Sequence, residues 1–576
     1  MRQLHIRGLA LPLCALLLAP PLAAQQPAQE PPPSLFGEQI EVRVVNLEAV
    51  VTDRQGNRVT DLNPTDFQLT VDGKAVPIQY FTEVRGGQAV APPASPSDNA
   101  AEAAPVQGLP SLAPGEPVGT SYLVYIDDYF SVAARRDEVL RGLKDELSRL
   151  GPEDRMAIVS FDGRRIDMLS SWSRSSRDLG RALDRAMVRP AYGAQRFTDL
   201  RNFKMSIRTV REFEQIQSPI ESGRLATPRD RLDLQEMDYA SRLSQQVERS
   251  IGAAVSTLRG FASPPGRKVM LMLSGGWPFD AIRYVLNDPT RAEVISTEIP
   301  SGYELFSRLT DTANRLGYTV YPVDVPGLET DGANAEVIDV ALDAVDPLNQ
   351  FPGPGAMLRE QEMHTALQYV AIETGGRALL DSTRLTALEG TVADTRSYYW
   401  LGFVPEWQGN DKRHDIKLEV TRPGLKVRSR DNFLDLSSQA EVSLAVESAM
   451  LFGTPPGSTP MPIQLGEPVR AGRKEMDLPL SLAIPVDAFT TLPVDGKHVA
   501  ELQLRVHAMD EDGARSDMPV VPIRIATKEL PTAGKYVRYD TKLRLRQIQQ
   551  HVVLAVFDPV SGKISTAETD VKPPKR

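Results

Sequence analysis

The spacing of hydrophobic residues changes several times along this chain, and each change predicts a different kind of structure. Between 37 and 85 the pattern is strand-like: Ile40, Val42 and Val44 alternate with polar residues, and Leu47 to Val51 is apolar but for Glu48. Asp53 to Gly56 supplies a turn, Asp66 to Val71 another strand, and Asp72-Gly73 a hairpin pair. This predicts a small β-domain of about four strands. Residues 86–118 are rich in Pro, Ala, Gly and Ser with almost no large apolar side chain, the composition of a disordered linker. From Thr120 the period changes. Tyr122 to Ile126 and Val269 to Leu273 are short continuous apolar runs, as expected of strands buried on both faces, and Met156 to Phe161 and Tyr318 to Val323 are further expected strands. Ile166 to Leu169 and Ala378 to Leu380 are shorter candidates. Val139, Leu140, Leu143 and Leu147, then Leu179, Leu183 and Met187, recur at helical spacing. Strands alternating with helices predict a parallel sheet covered on both faces over 119–395.

Two stretches interrupt that alternation. Residues 200–262 are polar and helix-compatible, broken at Pro219 and Pro228, and predict a helical hairpin inserted as a satellite of the sheet. Residues 325–357 predict a loop insertion. The pattern returns to β at 396–434, and 440–571 gives strand after strand with few helix signals, the expectation for a C-terminal β-sandwich.

Composition narrows the function classes. At 576 residues the chain is long enough for three or four domains. With 65 Lys+Arg against 75 Asp+Glu it lacks the basic excess of a nucleic-acid binder. The first 24 residues have the form of an export signal: Arg2 and Arg7, an apolar run from Leu9 to Ala19, then small Ala23 and Ala24 before Gln25. Cleavage after Ala24 would remove Cys14, the single cysteine, and leave a mature chain without thiol or zinc–thiolate chemistry. No later apolar run has the roughly 20 residues needed to cross a bilayer. The expected location is periplasmic or secreted.

Three segments carry a resemblance. Tyr122 to Ile126 ends in Asp127-Asp128-Tyr129-Phe130-Ser131; later come Lys268 to Gly276 and Gly317 to Asp324. Together these resemble a von Willebrand factor A domain. The flanks Val50 to Leu62, Tyr398 to Phe403 and Arg422 to Arg430 are similar to the acidobacterial-type von Willebrand factor A-related family, over about 38–434. The resemblance implies an α/β fold with a doubly wound, mostly parallel sheet, flanked by the N-terminal small β-domain and the C-terminal β-sandwich.

It also implies a metal site at the strand ends, where an Asp-x-Ser-x-Ser loop, a Thr and a further Asp offer hard oxygen ligands to Mg²⁺. Asp127 matches the first Asp, Ser131 the second Ser, and Thr198 the Thr. Tyr129 stands in place of the first Ser, and Gly275, in Ser274-Gly275-Gly276, in place of the last Asp. With two anchors gone, the expectation is weak Mg²⁺ binding or none. Asp128, Asp199 or Asp280 are the acids that would compensate. The competing reading keeps Asp127 as a structural acid accepting hydrogen bonds from loop amides.

Other candidates carry little chemistry. His5, His364, His414, His498, His507 and His551 form no pair at metal-ligand spacing. Gly375-Gly376 reads as a helix C-cap. Trp277, beside the third loop, is either an exposed binding residue or a packed one. No Gly-x-Ser-x-Gly motif is present. The function expected is a non-catalytic, exported protein–protein interaction or assembly module, with a protein partner in the cell envelope or outside. Two alternatives stand beside it: a metal-dependent adhesion module, and an exported hydrolase acting through the C-terminal β-domain.

Overall fold

The computed structural model describes residues 44–90, 112–216, 228–261, 266–286, 299–325, 354–452, 458–494, 496–510, 516–529 and 532–574. The expected signal segment, the centre of the 86–118 linker and most of the 325–357 insertion lie outside them. The described residues form two compact units, one of 44–90 with 112–435 and one of 436–574.

The first unit opens with β1 (Val45–Thr52), β2 (Phe67–Val71), β3 (Lys74–Ala75), β4 (Tyr80–Arg85) and β5 (Gln88–Val90). Next come β6 (Thr120–Asp127), α1 (Ala133–Asp145), β7 (Arg155–Phe161), β8 (Ile166–Ser173) and α2 (Ser176–Met187). Two long helices follow, α3 (Gly193–Ile216) and α4 (Pro228–Gly260), then β9 (Arg267–Ser274) and α5 (Ala281–Leu286). α6 (Gly302–Leu316), β10 (Tyr318–Asp324), α7 (Pro354–Glu373) and α8 (Ala387–Thr395) complete the middle. The unit closes with β11 (Tyr398–Phe403), β12 (Lys412–Val420), β13 (Lys426–Arg428) and β14 (Asn432–Asp435).

The middle elements build a five-stranded sheet in the order β10-β9-β6-β7-β8. Its first four strands are mutually parallel, but β8 runs antiparallel to β7. The reason is the connection: Asp162 to Arg165, with Gly163 at φ +94°, is a hairpin turn, far shorter than a parallel crossover requires. Alternate residues of the central strands face opposite layers. Val124, Ile126, Ile158, Leu271 and Leu273 share a core with Val139, Leu140 and Leu143 of α1, Leu179 and Leu183 of α2, and Leu388 of α8. The opposite face meets α4. Ala240, Leu243, Val247, Ile251, Ala254 and Leu258 form a buried stripe at helical spacing, and the Tyr125 hydroxyl donates to the Ser250 carbonyl at 3.3 Å. The 200–262 segment is therefore not a detachable satellite, because the C-terminal half of α4 covers one face of the sheet.

The flanking strands also differ from expectation. β1 pairs with β11 and β13, and β2 with β12, so the described part of the 37–85 segment and the 396–434 segment are halves of one body. Its two sheets, β13-β1-β11-β4-β5 and β14-β12-β2-β3, enclose Leu47, Val51, Phe67, Leu69, Leu401, Phe403, Ile416 and Leu418. The Tyr399 hydroxyl fastens the β1–β2 connection, donating to the Val59 carbonyl and accepting from the Leu62 amide at 3.1 Å each. Gln88 forms a bridge to Pro117, so both ends of the expected linker are ordered.

The second unit holds α9 (Ser438–Phe452), a helix the sequence pattern did not reveal. Ten strands follow: β15 (Thr459–Pro460), β16 (Ile463–Leu465), β17 (Val469–Arg470), β18 (Glu475–Pro485), β19 (Leu492–Val494), β20 (Lys497–Asp510), β21 (Val520–Thr527), β22 (Tyr536–Arg546), β23 (Gln550–Phe557) and β24 (Ile564–Val571). They form two sheets. β20 and β23 lie at the centre of one and β18 of the other, and Leu504, Leu554, Leu480 and Leu543 share the core between them. Val442, Val446 and Ala449 of α9 pack with Val553, Ala555 and Phe557 of β23.

These sheets overturn the expected fold class of a doubly wound, mostly parallel α/β sheet of the von Willebrand factor A type. Four of the five described sheets are antiparallel, apart from a two-residue parallel pairing of β15 with β24. The one sheet with a parallel set carries an antiparallel edge. The architecture as a whole is mainly antiparallel β, because short turns and hairpins outnumber the long crossovers that parallel pairing needs.

Candidate functional site

The C-terminal end of β6 carries a buried carboxylate, Asp127, held by several hydrogen bonds. The run Tyr122 to Ile126 is fully buried and draws Asp127 into the interior with it. The Asp127 carboxylate is held on both sides. Oδ1 accepts the amides of Tyr129 and Phe130 at 3.1 and 3.2 Å, turning the chain sharply after the strand. Oδ2 accepts the Ser274 hydroxyl at 3.0 Å and the Trp277 indole N–H at 2.6 Å. Burial pushes this carboxyl up to about 6, against the pull of the Trp277 and Ser274 hydrogen bonds and the nearby Arg196 charge.

The loop after Asp127 is gripped from two sides by glycines. A Cβ on Gly275 would lie 2.0 Å from the Phe130 carbonyl oxygen and 3.0 Å from the Ser131 Cα. A Cβ on Gly193 would lie 2.6 Å from the Ser131 carbonyl, to which the Gly193 amide donates at 2.9 Å. Backbone therefore packs directly on backbone. Asp128 is also buried and is ion-paired with Arg136 at 2.6 Å and Arg189 at 3.3 Å. Arg136, itself fully buried, also donates to the carbonyls of Met187 and Arg189, tying the loop to the end of α2.

Tyr129 turns outward. Its ring lies over Gly163 and meets Phe130 and Phe161 edge-on. Two guanidinium groups approach it. Arg196 of α3 stacks on Phe130 with 3.4 Å from its central carbon to the ring centre, and lies 5.1 Å from the Tyr129 ring. Arg249 of α4 lies 5.8 Å from that ring and donates to the Tyr129 hydroxyl at 3.5 Å.

The expected metal ligands do not converge. Asp127 is at the site, but both its oxygens already face hydrogen-bond donors. The Ser131 hydroxyl is buried with no hydrogen-bond partner. Thr198 is exposed on α3 and donates to the Ala194 carbonyl of its own helix at 3.1 Å. Asp280 caps α5, accepting the amides of Ile282 and Arg283, and Asp128 is committed to its arginines. Among the described residues no group of three or more His, Cys, Asp or Glu is placed to hold a metal ion. Donors aimed at Asp127 stand where a cation would need open lone pairs, so this residue set does not fit a divalent ion. Gly275 reflects close packing: no side chain of any kind has room there.

Trp277 is wholly buried, packing on Phe306 at 6.0 Å while its N–H holds Asp127. That hydrogen bond spans 150 positions of sequence, and no local pattern announces it. Arg196 was missed for the same reason. The histidines sit apart: His364 lies 3.8 Å from Asp324, His414 2.7 Å from Asp72, and His551 2.8 Å from Asp570. Gly375, at φ +73°, ends α7, and the Gly376 amide bonds back to the Ala371 carbonyl.

No family model and no curated protein matches the chain. Among solved structures the chain aligns with the pilus adhesin SpaC from Lactobacillus rhamnosus GG at 8% identity and a TM-score of 0.18. That alignment covers 79% of this chain and 56% of the adhesin, so the chain spans little more than half of the adhesin's length. A score this low carries no information about fold or role. Among the described residues no helix is long and apolar enough to cross a membrane.

Proposed function

We propose that the chain is an exported, non-catalytic protein-interaction module whose contact surface is the arm formed by α3 and α4. The observation that carries this reading is the pair of exposed apolar side chains on the arm. Met205 is 51% exposed and Leu234 64%, on helices whose other exposed side chains, among the described residues, are mostly polar or charged. The strand-end site supports the same reading from the other direction. Asp127 is fully engaged as an acceptor and holds the loop in shape, with hydrogen-bond donors on both carboxylate oxygens.

Photo-crosslinking groups placed at Met205 and Leu234 in the native cell test the proposal. A discrete adduct from both positions, absent when the group replaces the equally exposed Tyr536 of β22, is the expected result. Equal labelling at all three sites, or no adduct from the arm, would overturn it. Fractionation of the same cells checks export; full-length chain in the cytoplasm would remove that part of the reading.

A further inference from the structure

The arm contains a cavity of about 650 Å³ between α3 and α4, within the range of small-ligand sites. Its walls combine an aromatic pair with charged and amide groups. Phe203 and Tyr239 stack face to face at 4.3 Å with 9° between their planes. Of the two arginines lining the cavity, Arg242 is neutralised by Asp238 at 3.1 Å. Arg196 makes no ion pair within 4 Å among the described residues, Asp199 one turn further along α3 included, although the buried Asp127 carboxylate acts on its charge from a longer distance. The Arg196 guanidinium is nevertheless fixed in place. Nη1 donates to Gln246 at 2.6 Å and its face rests on Phe130. A guanidinium has five N–H donors, and the bond to Gln246 uses one, so this side chain of the cavity lining has further donors to offer a ligand.

We propose that this cavity binds an apolar carboxylate, whose charged end pairs with Arg196 and whose apolar flank lies against Phe203 and Tyr239. The assignment goes beyond the protein-interaction reading and does not depend on it. A phosphate carries more charge than one guanidinium offsets; a single carboxylate matches the fork of a single guanidinium. The acid can be a free small molecule or the C-terminus of a peptide chain. 3-Phenylpropionate represents the first and N-acetyl-phenylalanine the second.

Both acids are titrated into the full chain by calorimetry, each beside its neutral amide. The expected result is saturable binding with at least one acid about tenfold or more tighter than its amide, the tighter acid identifying the source. Arg196→Gln should erase the acid–amide difference. Gln246→Ala, which releases Arg196 without removing it, should reduce that difference, and Phe203→Leu should weaken acid and amide alike. Absence of saturable binding, equal binding of acid and amide, or a difference that survives Arg196→Gln would overturn the proposal.

Discussion

Asp127 makes the stability of the first unit depend on pH in an unusual direction. Most buried acids that pair with a cation have lowered values, and their proteins lose stability on acidification. Here burial dominates, and the carboxyl titrates at about 6 in the folded chain against an ordinary value of 3.8. Between those values the folded state holds a proton that the unfolded state has released. The unfolded state then binds fewer protons, so stability falls as pH rises. The stabilising contribution is complete below about pH 4 and lost above about pH 6. The interval is roughly two pH units at about 1.36 kcal/mol each, or roughly 3 kcal/mol. Asp127→Asn keeps the shape and removes the titration. Urea unfolding of the wild type and this variant from about pH 4 to about pH 7 isolates the residue from every other acid. Trp172, Trp277, Trp400 and Trp407, the four tryptophans, all lie in the 44–435 unit, so their fluorescence follows this unit alone. The wild-type curve should fall by roughly 3 kcal/mol relative to the variant between about pH 4 and about pH 6, then run parallel to it. A flat difference, or one rising with pH, would refute the reasoning.

Three further outcomes follow from the same geometry. Gly275→Ala should destabilise the unit by at least about 1–3 kcal/mol, because its Cβ meets backbone that cannot give; Gly275→Asp should do worse and gain no rescue from millimolar Mg²⁺ in a thermal melt. Val247→Ala or Ile251→Ala in α4 should each cost about 1–4 kcal/mol in urea unfolding; values near zero would restore the detachable satellite. Arg413 bonds Glu373 at 2.8 Å and faces Asp311 and Asp431, both pushed up to about 6 by burial. Without the guanidinium these acids would hold protons to higher pH, so the penalty of Arg413→Gln should be larger near pH 8 than near pH 5, as denaturation at the two values would show.

How far the sequence revealed the structure depended on the range of the interaction. Tyr122 to Ile126 and Val269 to Leu273 could be read as buried strands because burial on both faces leaves an unbroken apolar run. The direction of β8 was missed, since Ile166 to Leu169 looks the same in either orientation and only the turn at Gly163 decides it. The union of β1 with β11 was hidden because alternation identifies a strand but not its partner. At the site, Asp127 stood out as the polar end of an apolar strand, whereas Trp277 and Arg196 come from distant segments. Gly275 was read as a lost carboxylate, but its role is to let two loops touch.

The pairing of β1 with β11 also sets a timetable. Roughly 350 residues separate the two strands, so at ribosomal speed β1 waits roughly 20–70 s before its partner exists. Through that interval Leu47, Val51, Phe67 and Leu69 have no completed core to enter. The nascent 44–90 segment holds β1 before either of its partners, β11 and β13, has been made, and is open to any chaperone or neighbouring chain that offers an edge. Newly made chains should therefore be most prone to aggregation before residue 400 emerges, and ribosome-bound fragments ending before and after β11 should differ sharply in protease resistance.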